Sequence, residues 1–234
     1  MITESLYRLS KRKSRKNLYA WLARAVRREA VAGNARMLNI GAGGEVAARL
    51  TELGVQALTL DIDPTRQPDI VANIEAMPEI ADASIDILFC IEVLEHVSRP
   101  EAAVAEIRRI LRPGGCVIGS TPFLLGIHDV PNDFQRFTRY GLQWLFRNFQ
   151  EVELCERNGY FAAAAVLIYR RFALDAPLGG IALLRVPFLL LLALSLEFLD
   201  RLLPSLEGTT GYFFVYRKPQ TAPQRQNDQQ ARPA

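Results

Sequence analysis

Histidine is nearly absent from this chain of 234 residues, with two copies, and cysteine is scarce, with three. Cys90, Cys116 and Cys155 lie in separate apolar stretches, and none has a second cysteine or a histidine at metal-ligand spacing. A disulfide framework and a zinc site are therefore not expected, no other metal is expected either, and the cysteines read as core residues in a reducing compartment. The first thirty residues lack the apolar run and small-residue cleavage site of a secretory signal, so a cytoplasmic location is expected. The leucine-rich run Val186 to Leu196, bounded by Arg185 and Glu197, is too short for a spanning helix, which needs about 20 apolar residues. Net charge is only +3, and the aromatic residues are not interleaved with the basic ones, so a stacking surface for nucleic acid is not expected.

Half of the residues are hydrophobic, enough at this length for one well-buried α/β domain with an appendage. Basic residues crowd the N-terminus between Arg8 and Arg28, opposed only by Glu4 and Glu29. This crowding reads first as a solvated helix face and second as a contact for anionic lipid or nucleic acid. Leu18, Trp21, Leu22, Ala25 and Val26 recur at helical spacing, which predicts an amphipathic helix over 17–31 that closes one side of a later site. Strands are expected at 36–40, 56–60, 69–72, 85–90, 115–120 and 151–155, with helices at 44–53, 100–111 and 138–148. That alternation predicts a doubly wound, mostly parallel sheet whose ligands bind at the carboxyl ends of its strands.

Residues 211–218 read as a last strand, antiparallel to 151–155 at the sheet edge, and the Pro-, Gln- and Arg-rich stretch 219–234 as a disordered tail. The expected organisation is a basic helical segment at 1–34, a main domain at 35–218 with a helical apolar insertion at 160–208, and the tail. The insertion's apolar run must be buried against protein, lie in a bilayer interface or pack across a homodimer.

Leu38 to Glu45, Leu-Asn-Ile-Gly-Ala-Gly-Gly-Glu, is an apolar strand entering a glycine turn, and the next strand, Ala-Leu-Thr-Leu-Asp, ends on Asp61. Glycines at 41 and 43 let the main chain turn sharply and approach a ligand, while a carboxylate at the neighbouring strand tip can accept both hydroxyls of a ribose. A dinucleotide and S-adenosylmethionine are both served by this arrangement. Further features lie downstream: Asp86 to Val97, which carries Glu-Val-Leu-Glu-His-Val after a buried strand; Leu-Arg-Pro-Gly-Gly at 111–115; and the antiparallel ending. Val46 stands where a dinucleotide fingerprint wants a small residue, which disfavours a nicotinamide-dependent oxidoreductase.

In order and at these intervals the motifs resemble the class I S-adenosylmethionine-dependent methyltransferases, in the small-molecule group with the Leu-Arg-Pro-Gly-Gly motif; the resemblance covers about 35–155 and the last strand. It implies a seven-stranded Rossmann-like sheet with S-adenosyl-L-methionine as cofactor. By the same resemblance, Gly41, Ala42 and Gly43 wrap the methionine moiety, Asp61 holds the ribose hydroxyls, and Ile62 lies against the adenine. Asn73 and Ile74 read the adenine edge, and Cys90 and Glu92 end the fourth strand beside the methionine. Asn39 stands where the family commonly has an acidic residue, and Glu45 replaces the usual third glycine. An amide still accepts a hydrogen bond, more weakly than a carboxylate.

The segment Gly126 to Thr138, Gly-Ile-His-Asp-Val-Pro-Asn-Asp-Phe-Gln-Arg-Phe-Thr, leaves the carboxyl end of the fifth strand, over the expected sulfonium position. It resembles a methyltransferase subgroup acting in polysaccharide, glycolipid and secondary-metabolite pathways. His128 is the candidate base for an acceptor hydroxyl, with Asp133 or Asp129 orienting its ring and Arg136 binding an anionic acceptor. The competing expectation is structural: Asp133 and Arg136 pair to pin the loop, and Thr138 caps the next helix. The expected activity is O-methylation of a small glycan-, lipid- or secondary-metabolite-type acceptor in the cytoplasm, extending to peripheral contact with the inner membrane face. A non-catalytic cofactor-binding partner protein is the alternative.

Overall fold

A computed structural model describes residues 11–15, 17–30, 34–174, 180–205 and 207–220. Seven strands form one sheet: β1 (Met37–Ile40), β2 (Ala57–Asp61), β3 (Ile70–Val71), β4 (Ile85–Ile91), β5 (Leu111–Pro122), β6 (Gln150–Glu156) and β7 (Gly211–Arg217). Their spatial order is β3-β2-β1-β4-β5-β7-β6. The first five pair in parallel, and β7 enters antiparallel between β5 and β6. This is the doubly wound sheet with an antiparallel last strand that the alternation of apolar runs implies.

Both faces are covered. One core layer packs helix α3 (Pro100–Ile110) and helix α4 (Arg139–Leu145) against Leu38, Leu88, Val117 and Phe214. The other packs helix α1 (Leu18–Glu29) against Phe89, Ile118, Phe213 and Val215. Helix α1 uses the apolar stripe foreseen for it, with Leu18, Trp21, Leu22, Ala25 and Val26 all buried. Trp21 stacks on Phe213 at 4.7 Å between centroids and donates its indole N–H to Glu153 at 2.8 Å.

Several boundaries differ from the sequence expectation for local reasons. Helix α4 ends at Leu145 rather than 148, because the chain turns through Phe146, which stacks on Tyr216 and supports the core instead of continuing the helix. Strand β5 begins at Leu111, paired with Ile85, and bulges through Leu-Arg-Pro-Gly-Gly before rejoining β4 at Cys116. Gly115 is required at that bulge, since a Cβ there would lie 2.9 Å from the Asp86 carbonyl oxygen.

The insertion forms two helices, α5 (Tyr160–Leu174) and α6 (Gly180–Leu202). Ala165, Tyr169 and Ala193 bury the seam between them. Asp200, near the end of α6, accepts the main-chain N–H groups of Gly159, Phe161 and Ala162, which have no partner within α5. The run Val186 to Leu196 lies in α6; within it Ala193 is buried while Phe188, Leu191 and Leu194 are more than half exposed, as is Phe198 just beyond it. No helix of the described residues is long and apolar enough to cross a membrane. The stretch 221–234 of the expected tail lies outside the described residues.

Candidate active site

The glycine turn and the tip of β2 meet. Gly41 (φ +92°) donates its N–H to the Leu60 carbonyl at 2.8 Å, and Ala42 donates its own to Asp61 Oδ2 at 2.8 Å. Both glycines of the turn have positive φ, which a side chain would strain, and a Cβ at Gly43 would meet nothing within 4 Å. The main chain is thus bare and open on that side, and helix α2 (Gly44–Glu52) starts directly after it.

Asp61 is buried, and its carboxylate is oriented by Ala42, by the Asp63 N–H at 2.9 Å and by Arg66 at 3.4 Å. A carboxylate has about four acceptor positions, so capacity remains for hydroxyl donors. Arg66 is itself largely exposed and weakly placed. Ile62, next in the chain, is 67% exposed, which leaves its side chain accessible to a flat ring beside Asp61. Asn73 is exposed and accepts the Glu75 N–H at 2.9 Å, whereas the Ile74 side chain belongs to the core.

Asn39 braces the turn by donating to the Gly41 carbonyl at 3.0 Å, and its buried Oδ1 has no partner among the described residues. An orphaned acceptor beside an open glycine turn fits a ligand carrying a donor, such as an ammonium group. Glu45 leaves the turn altogether, accepting from Tyr19 at 2.8 Å and pairing with Arg15 at 3.5 Å. The residue replacing the third glycine therefore fastens the N-terminal helix over this end of the sheet.

At the end of β4, the Cys90 side chain is wholly buried, and burial together with the nearby Glu95 charge pushes its thiol far up, so this cysteine is packing rather than chemistry. Glu92 sits in the left-handed region (φ +56°) and accepts from Ser120 Oγ at 2.9 Å. Its main partner is Arg157, a fully buried guanidinium at the end of β6 that contacts both carboxylate oxygens. Burial raises the Glu92 pKa, but Arg157 outweighs it and holds the carboxyl below its ordinary value. Sequence reasoning missed Arg157, since nothing in Glu-Arg-Asn-Gly distinguishes a buried arginine from a solvated one.

The loop after β5 folds back onto this edge. Phe134 and Gln135 donate their N–H groups to the Glu95 carbonyl at 2.8 and 3.1 Å, and His96 Nδ1 lies 2.7 Å from the Asn132 carbonyl. His128, Asp133 and Arg136 do come together. Arg136 grips both oxygens of Asp133 at 2.6 and 2.7 Å, and Asp133 also accepts the His128 main-chain N–H at 2.9 Å. The Arg136 contact lowers the Asp133 carboxyl to about 2. Thr138 Oγ1 caps α4 by accepting from Gly141. Pinning and capping are therefore what this cluster visibly does, with the His128 ring left at its rim and its pKa lowered by burial.

Glu95 is the second residue that sequence reasoning left unassigned. It is fully buried, neither carboxylate oxygen has a hydrogen-bond partner among the described residues, and burial and the Glu92 charge push its pKa well above the usual range.

Comparison with known proteins covers the same segment. Residues 38–119 match a family model described as a methyltransferase domain. A ubiquinone biosynthesis O-methyltransferase from Paracidovorax citrulli is 32% identical over 102 residues, which are 37% of this chain and 43% of that protein. The chain spans under half the length of the curated relatives it matches. Among solved structures, the [4+2]-cyclase SpnF aligns with a TM-score of 0.57 at 18% identity, over 85% of this chain and 80% of that one. A putative sarcosine dimethylglycine methyltransferase from Galdieria sulphuraria aligns at 0.56 and 16% identity, over 87% and 86%. At such identities the structural likeness establishes the fold alone. The matched segment carries the glycine turn and its facing aspartate, and so is similar to a methyltransferase domain in the part of the sheet where the two meet.

Proposed function

We propose that this protein transfers a methyl group from S-adenosylmethionine to an oxygen of a small acceptor. The observation that carries the reading is the Ala42 N–H to Asp61 contact at 2.8 Å, which holds a bare glycine turn and a ribose-binding carboxylate in one place. When bound, the sulfonium supplies an electrophilic methyl group. Asp61 would hold the sugar and Ile62 would cover the base. Gly41 to Gly43 and Asn39 would receive the amino-acid end, while Glu92, kept ionised and immobile by Arg157, forms the floor beside it.

The acceptor would enter under the loop 123–138, aligned for in-line displacement and shielded from water. Ile127 and Val130 there are 78% and 77% exposed, which favours an acceptor with an apolar body, such as a lipid-type molecule. The exposed apolar side of α6 suits the same class. Lys13 Nζ pairs with Glu197 of α6 at 2.6 Å, which ties the basic N-terminal segment to that helix, and a peripheral contact with an anionic bilayer would draw on both.

Calorimetric titration with S-adenosylhomocysteine tests the cofactor half, and mass-spectrometric turnover over hydroxylated lipid-type and glycan-type acceptors tests the chemistry. Binding without methylated product from any acceptor would favour the non-catalytic alternative; absence of binding would refute the reading.

A further inference from the structure

Glu95, His96 and His128 each bring one ligand-capable atom to within 4.8 Å of the others. The histidines sit on different elements, His96 in the short turn after β4 and His128 in the loop after β5. From this convergence we propose that Glu95, His96 and His128 form a binding site for one divalent first-row metal ion beside the acceptor loop, with Asp129, 3.7 Å from His96 Nε2, at its exposed rim.

The hydrogen positions carry the argument. Asn132 O can only accept, so His96 Nδ1 at 2.7 Å carries the proton and Nε2 presents a lone pair. That lone pair faces two further acceptors, Glu95 Oε1 and Asp129 Oδ2, each at 3.7 Å. Around His128 Nδ1 stand the Gly126 carbonyl at 3.3 Å, Asp133 Oδ2 at 3.5 Å and one donor, Arg136 Nη2, at 3.5 Å. The two acceptors favour the proton on Nδ1, which again leaves Nε2 for an ion. A main-chain carbonyl or carboxylate behind each imidazole is the support that orients metal-binding histidines.

Glu95 supplies the independent observation. It has no solvent exposure, and both of its oxygens lack hydrogen-bond partners among the described residues, a costly arrangement for a buried carboxyl group unless something else meets it. Donors held about 2.0–2.2 Å from a common ion lie roughly 3.4 Å apart in tetrahedral geometry, so the 3.7 Å between His96 Nε2 and Glu95 Oε1 needs slight contraction, and the rest of the set, within 4.8 Å, closes by up to about 1.4 Å. Two imidazoles with carboxylates suit zinc, manganese, iron or cobalt better than magnesium or calcium. Glu92 is not part of the set, since Arg157 and Ser120 occupy it. The consequence for the acceptor, that the ion holds its oxygen and eases loss of the hydroxyl proton, rests on the methyltransferase reading; the cation site does not.

Full-length protein stripped with chelator and dialysed is titrated with Mn²⁺, followed by the paramagnetic resonance signal of the free ion, and with Zn²⁺ by calorimetry. One ion per chain is expected. His128→Ala should weaken binding at least about tenfold, and so should Glu95→Gln, losses at or above those of removing a supporting residue. Asp129→Asn, at an exposed position, cannot compromise folding and should weaken Mn²⁺ binding measurably. S-Adenosylhomocysteine binding should survive in all three. A stripped wild-type protein that binds S-adenosylhomocysteine yet takes up neither ion stoichiometrically overturns the metal site and leaves the function standing. So does uptake unchanged in all three variants. Metal uptake without S-adenosylhomocysteine binding would refute the function and leave the site.

Discussion

Arg157 Nη1 lies 3.1 Å from Glu92 Oε2, joining the end of β6 to the end of β4 by an ion pair whose arginine is wholly out of solvent. Breaking a buried pair from one side leaves an uncompensated charge and typically costs about 3–5 kcal/mol. Arg157→Met should therefore lower stability by several kcal/mol in urea unfolding, and Glu92→Gln combined with it should recover much of the loss. If the double variant were no more stable than Arg157→Met, the two side chains would not be acting on each other.

Asp61 has the opposite balance, since its value lies in the ligand more than in the fold. Asp61→Ala removes charge-assisted hydrogen bonds worth about 1.5–3 kcal/mol, which is roughly a 10- to 150-fold weaker affinity for S-adenosylhomocysteine by calorimetry. The fold should persist, because β2 keeps its pairing with β1. Unchanged affinity would mean that the sugar is held elsewhere.

Gly43 combines φ +96° with ψ −176°, a region essentially reserved for glycine. Gly43→Ala meets no neighbour within 4 Å, so its cost is conformational, about 1–3 kcal/mol. Both the thermal midpoint and cofactor affinity should fall together. An affinity loss with no change in midpoint would instead indicate a direct clash with the ligand.

These two positions were legible in the sequence because their signals are local: a strand, a glycine turn, another strand, an acidic tip. The sheet was legible for the same reason, since apolar runs separated by turns mark the strands and their order, though not every start, as β5 opening at Leu111 shows. What stayed hidden depends on contacts between distant segments. Arg157 reads as one more charged residue until β7 brings Gly211 and Phe213 over it. His96 and His128 read as two isolated histidines until the loop after β5 hangs from the Glu95 carbonyl and turns its own Asn132 carbonyl to His96. His128, Asp133 and Arg136 were grouped from the sequence with two roles open, chemistry or a pinned loop; the structure brings them together and shows the Asp133–Arg136 pair, whose bidentate geometry spacing does not specify.

Acid should loosen the seam between α1 and the sheet. Burial raises the Glu29 pKa, but hydrogen bonds from Arg28 and Arg217 outweigh it and the net shift is downward. Glu153 follows the same pattern, burial opposing and Arg28 with Trp21 prevailing. Groups with depressed folded pKa values contribute stability that is full above their unfolded values, about 4.3 for Glu, and is lost as pH falls through the folded ones. The urea midpoint should drop from neutral pH to pH about 3, and Glu153→Gln should flatten that slope. An equally steep profile in the variant would assign the acid sensitivity to other carboxylates.

The outward side of α6 makes the final case. Phe188, Leu191, Leu194 and Phe198 are 66%, 64%, 55% and 59% exposed, four large apolar side chains at helical spacing on one face, a display that points to a contact surface. If this face meets a bilayer, the protein should float with vesicles rich in anionic lipid, less so with neutral ones, and release as salt screens the basic N-terminal residues. Leu191→Ser with Leu194→Ser changes two exposed side chains and leaves the Ala165, Tyr169 and Ala193 seam intact, so the helix pair should hold while flotation falls several-fold. A protein that ignores vesicles and sediments as a homodimer, turning monomeric in the serine variant, would assign the face to a second copy of the chain instead.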